Sequence, residues 1–186
     1  QRHGIAGGFF MWKVGGARAA KGGSLDDVIA SAQNVVNRTK SICVGLEPCV
    51  IPALGHSNFK IEDGTMEFGV GHHGEAGTKV EKLKSASEMA QEMAETILND
   101  FDFEEGKEVA VMLSGLGATP VMELYVLYDE VEKVLAKAGH KVWKTYIGNY
   151  VTSLDMNGAS LTIVDLDDEI KELLSEPAVP IGMKNY

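Results

Sequence analysis

Glu108-Val109-Ala110-Val111-Met112-Leu113-Ser114-Gly115-Leu116-Gly117-Ala118-Thr119-Pro120 is the stretch that decides the fold. Its first half is an apolar run too short for a helix and bounded by glycine, so it reads as a buried strand. The glycines then turn the chain. Thr119 is a good N-cap residue, and Pro120 suits the first helical position. Leu124, Leu127, Tyr128, Val131, Val134 and Leu135 follow at helical spacing to about residue 138, and Gly139 supplies a stop. A second strand-like run covers residues 142–151. Strand, helix and strand in succession indicate an α/β or α+β domain.

The flanking segments continue the alternation. Residues 5–21 read as a buried helix, weakened by Gly15-Gly16. Ser24 and Asp27 form a capping box for a helix with Leu25, Val28, Ile29, Ala32, Val35 and Val36 on its apolar side. Strands are expected over 42–46, 66–70 and 160–164, with a short one over 59–61. Ser85 and Glu88 cap a helix carrying Met89, Ala90, Met93, Ile97 and Leu98. Met89 and Met93 read as core filling. The acidic stretch 165–176 reads as a solvated helix face. The chain opens on Gln1, without a signal-peptide pattern, and its first eight residues read like the interior of a larger protein.

Composition excludes several function classes. A formal net charge of −10 disfavours nucleic acid and anionic membranes as principal partners. No apolar run approaches the roughly 18 residues of a membrane span. Two cysteines, Cys43 and Cys49, fit an intracellular protein with ordinary thiols.

The candidate chemistry lies in Gly69-Val70-Gly71-His72-His73-Gly74-Glu75-Ala76-Gly77. Glycines allow sharp bends and close approach of another molecule. Imidazole is suited to nucleophilic and proton-transfer work near neutral pH. His73 is the main candidate, against the plainer reading of a histidine that bonds within its own turn. If the preceding strand persists, His72 and His73 point to opposite sides. Their spacing with Glu75 is poor for a metal site, and none is expected. The turn from Ser114 to Pro120 joins a strand to a helix N-terminus, where phosphate can bind. It lacks the Gly-Lys-Ser/Thr ending of a P-loop, and a tight connection is the favoured reading.

Three segments in order, Gly4-Ile5-Ala6-Gly7, Met66-Glu67-Phe68-Gly69-Val70-Gly71-His72-His73-Gly74-Glu75 and Gly115-Leu116-Gly117-Ala118-Thr119-Pro120 with Glu123-Leu124-Tyr125, resemble the ketose-binding subunit or domain of the dihydroxyacetone kinase family. Ala76 stands where the family pattern usually has proline. The resemblance implies an α/β, α+β-like fold: a mixed sheet of about six strands with helices mainly on one face, the second domain of a two-domain protein. Residues 1–23 would be the terminal helix of a missing N-terminal α/β domain, and 24–186 the ketose-anchoring domain. It further implies that His73 forms a covalent hemiaminal with the ketone carbonyl, beside Gly74 as a substrate contact. Glycerol has no carbonyl, so such an anchor excludes it.

The acid–base pair would lie in the missing half. No cofactor or metal is expected on this chain; nucleotide with magnesium would sit on a separate subunit or domain. The implied partners are dihydroxyacetone or a related short ketose, the missing half, a nucleotide-binding kinase subunit and a second copy in a cytoplasmic homodimer. Two alternatives remain: a ketose-sensing relative that engages a transcription regulator, and a four-carbon ketose such as erythrulose as substrate.

Overall fold

The computed structural model describes residues 5–57, 59–73, 75–101, 103 and 106–180. In chain order its elements are α1 (Gly8–Ala20), α2 (Leu25–Asn37), β1 (Thr39–Glu47), β2 (Thr65–Phe68), β3 (Lys79–Lys82), α3 (Ala86–Asn99), β4 (Glu108–Gly115), α4 (Val121–Lys137), β5 (Lys141–Gly148), β6 (Asn157–Asp165) and α5 (Asp168–Ser175). The strands form one mixed sheet in the order β3-β2-β1-β6-β4-β5. Only β4 and β5 run parallel, joined by α4 as the crossover; the other neighbours are antiparallel. The mixed six-stranded α/β fold is the expected one.

The helices, however, are divided between both faces rather than gathered on one. The central strands explain this, because β4 is apolar on both sides. Val109, Val111 and Leu113 face a core closed by α3 and α4 through Met93, Ile97, Leu124, Val131 and Leu135. Ala110 and Met112 face a second core closed by Phe10 and Val14 of α1, Val35 of α2, and Ile170, Leu173 and Leu174 of α5. A strand buried on both faces needs cover on both.

Both capping boxes form. Ser24 Oγ accepts the Asp27 N–H, and Ser85 Oγ accepts the Glu88 N–H. The cap of α4 is shifted by one residue from expectation. Pro120 occupies the N-cap position, and Thr119 is drawn inward. Its Oγ1 accepts the Gly158 N–H at 2.8 Å and lies 2.7 Å from the Gly158 carbonyl oxygen. Thr119 therefore ties the turn to the start of β6 instead of capping the helix.

Two further expectations are corrected. The 59–61 segment is not a strand; Phe59 and Ile61 pack on a small third core. The 165–176 stretch is not simply solvated. Asp165 is buried and ion-paired with Arg38. Asp167 caps α5 through the Ile170 N–H at 2.7 Å. Glu169 accepts from Ser31 and Arg18, which hold its carboxyl below the usual range. On α2, Leu25 and Ile29 are exposed, because this helix reaches the body through Val35 and through Val28 and Ala32 beside Gly15 of α1.

Candidate functional site

The glycine-histidine loop joins β2 to β3, so it is the tip of a hairpin at one edge of the sheet. β3 is a polar strand, Lys79-Val80-Glu81-Lys82, that its sequence does not announce. The loop is pinned at its base. The Gly69 N–H donates to the Cys43 carbonyl at 2.7 Å, and the Thr78 N–H donates to the Phe68 carbonyl at 2.8 Å. Val70 is buried in the third core with Cys43, Cys49, Leu116 and Met156. Leu116 belongs to the second glycine turn, so one small core underlies both loops. Both cysteines are free thiols, and burial pushes the Cys43 thiol up to about 12.

The loop narrows beyond Val70. The Gly71 N–H donates to the Glu75 carbonyl at 2.9 Å. A Cβ on Gly71 would lie 2.3 Å from Glu75 Oε2 and 2.8 Å from the Glu75 Cβ, so only glycine fits beneath the carboxylate. Glu75 Oε2 accepts the His73 N–H at 2.9 Å. Glu75 Oε1 lies 3.5 Å from His73 Nδ1. The His73 side chain is 73% exposed. Gly74 lies outside the described residues.

His72 and His73 do not alternate. β2 ends at Phe68, and in the turn beyond it the two rings stand face to tilted face, with centroids 3.8 Å apart. The sequence reading weighed Glu75 only as a metal ligand. Its fold-back onto His73 follows from the turn conformation beyond β2, which local sequence rules do not specify. Among the described residues no group of three or more His, Cys, Asp or Glu side chains is arranged to hold a metal ion.

The second glycine turn makes a tight connection. Its Leu116 and Ala118 N–H groups donate to the carbonyls of Gly158 and Met156, at 3.1 and 3.0 Å. Gly117 has φ of 134°, and a Cβ there would fall 1.9 Å from the Leu154 carbonyl oxygen. These two N–H groups are committed to the protein, as in a tight connection.

A groove of about 820 Å³ runs beside the first half of β1, before its pairing with β2 at Val44, with Thr39, Ser41, Gly69 and Thr78 in its wall. It reaches both ends of the histidine loop, but His73 is not among its lining residues.

The comparisons with known proteins agree with this architecture. The chain is 40% identical over 168 residues to the dihydroxyacetone-binding subunit DhaK of PTS-dependent dihydroxyacetone kinase 1 from Listeria innocua serovar 6a, covering 90% of this chain and 51% of that protein. It is 36% identical over 178 residues to D-erythrulose kinase of Mycolicibacterium smegmatis, covering 96% of this chain and 31% of that one. Among solved structures, the dihydroxyacetone kinase operon co-activator Dha-DhaQ superposes with a TM-score of 0.88 at 30% identity, over 94% of this chain and 54% of that one. The chain thus spans about half the length of the DhaK relative and less of the erythrulose kinase. The family profile of the Dak1 domain matches residues 1–181, and the chain belongs to that family.

Proposed function

We propose that the intact protein is a component of a short-chain ketose kinase, and that His73 anchors the ketose as a covalent hemiaminal. The observation that carries this reading is the exposed His73 imidazole, held by its backbone on a pinned hairpin tip. A nitrogen lone pair directed to solvent is what addition to a ketone carbon requires. The adduct fixes the substrate's terminal hydroxyl for phosphoryl transfer. Gly74 is the further substrate contact in this proposal. The names of relatives in both the dihydroxyacetone-binding and the erythrulose-kinase groups support a short ketose as the ligand.

The remaining pocket wall and the acid–base groups are assigned to a further domain of the intact protein. α1 suits a boundary position: Phe10 and Val14 pack into this body, while Trp12 on its outer side is 68% exposed. Nucleotide with magnesium is placed on a separate subunit or domain. A homodimer in the cytoplasm completes the proposal.

Likeness to a co-activator structure favours one second reading, a ketose sensor that acts on a transcription regulator. Intact-protein mass spectrometry tests the anchor. Dihydroxyacetone should add one ketose mass, glycerol none, and His73→Ala should abolish the addition; an unchanged adduct in His73→Ala refutes it. Phosphorylation of the ketose by the reconstituted complex separates kinase from sensor.

A further inference from the structure

We infer that Glu75 is a positioning residue that sets the tautomer and orientation of His73, directing the Nε2 lone pair outward for addition to a ketone; this rests on the His73 reading above. Neutral imidazole carries its proton on one nitrogen and its lone pair on the other, and the partner of one nitrogen decides which. A carboxylate faces His73 Nδ1 at 3.5 Å. Its other oxygen is already fixed at 2.9 Å by the His73 N–H, so a small rotation of the carboxylate closes the ring contact. Catalytic hydrogen bonds are often long before substrate arrives. The carboxylate favours Nδ1–H and leaves Nε2 as the nucleophile.

The surroundings hold this arrangement from two further sides. Gly71 leaves room for the carboxylate that any Cβ would displace. The His72 ring stands against the His73 ring at 3.8 Å.

The step balances. The Nε2 lone pair forms the N–C bond, and the carbonyl π pair moves to oxygen, which takes a proton from solvent. The ring becomes cationic and returns to neutrality by losing the Nδ1 proton to solvent past Glu75. A carboxylate stabilises that transient positive charge, whereas an amide of the same shape does not.

The test uses the intact protein with histidine labelled in the ring nitrogens. Long-range nitrogen–proton NMR reads the His73 tautomer without ligand, and stopped mass spectrometry with dihydroxyacetone reads the rate of adduct formation. The expected result is an Nδ1–H tautomer in the unsubstituted protein. Glu75→Gln should shift it towards Nε2–H and slow addition by about a hundredfold, the lower end for a positioned acid–base group. An Nε2–H tautomer in the unsubstituted protein overturns the inference without any variant. So does a Glu75→Gln protein with unchanged tautomer and rate; if His73→Ala still abolishes the adduct, the anchor survives and only the role of Glu75 falls. Absence of any adduct in the unsubstituted protein overturns the anchor and the inference together.

Discussion

The small core beneath the two loops makes a quantitative packing prediction, centred on Gly45 of β1 and Met156. Met156 is 1% exposed, and a Cβ on Gly45 would lie 2.7 Å from the Met156 Cε, 3.2 Å from Ile61 Cδ1 and 3.3 Å from Val70 Cγ1. Met156→Ala removes the floor under both Val70 and Leu116. A buried methionine truncated to alanine costs about 2–5 kcal/mol, and about 3 is expected here because Ile61 is only partly buried and can move in. Gly45→Ala forces the Met156 methyl aside by several tenths of an ångström. That overpacking costs about 1–3 kcal/mol, offset by about 0.5–1 kcal/mol for replacing glycine within a strand. In the double variant the new methyl enters the space vacated by Met156. The two changes should therefore cost about 1 kcal/mol less together than their sum. Urea denaturation of the four proteins measures this coupling. Additivity within about 0.5 kcal/mol would refute the contact, since that is the behaviour of independent sites.

Two other expectations follow from buried polar groups. Lys13 is nearly buried on α1, and its Nζ donates to the Leu173 and Glu176 carbonyls at 2.9 and 2.7 Å, closing the C-terminus of α5. Lys13→Met should cost about 1–3 kcal/mol in chemical denaturation, and a loss below about 0.5 kcal/mol would contradict that role. The Cys43 thiol, with its ordinary value of 9.0 pushed up to about 12 by burial, is protonated in the fold at pH values where the unfolded chain ionises. Its stabilising effect is complete below pH 9 and is lost as pH rises from there towards 12. The slope should be about 1.4 kcal/mol per pH unit, and Cys43→Ala should reduce it by that amount. An unchanged slope in the variant would sink this account.

The sequence was legible where a local rule coincided with a tertiary need. The run 108–113, the capping boxes at Ser24 and Ser85, and the stop at Gly139 each have one physical solution, and they lead to the mixed sheet. Legibility failed where long-range contacts decide. Thr119 has the chemistry of a cap, but a buried N–H and carbonyl at Gly158 compete for its hydroxyl and win. β3 carries no apolar alternation because it is an edge strand, held by pairing with β2 and by Lys79 and Lys84 about Glu81 and Glu92. Leu25 and Ile29 obey helical spacing, yet the described body leaves them uncovered. At the candidate site, the exposed turn that carries His73 was legible from its glycines. The fold-back of Glu75 was not, because it depends on the turn conformation beyond β2.

The central claim is that a ring nitrogen of His73 bonds to a ketone carbon. Carbon-13 NMR of dihydroxyacetone labelled at its central carbon, bound to the intact protein, tests this most directly. The account predicts that the bound signal leaves the carbonyl region for that of a saturated carbon bearing nitrogen and oxygen, and that His73→Ala removes the shifted signal. A ligand that binds while its central carbon keeps a carbonyl shift would contradict it.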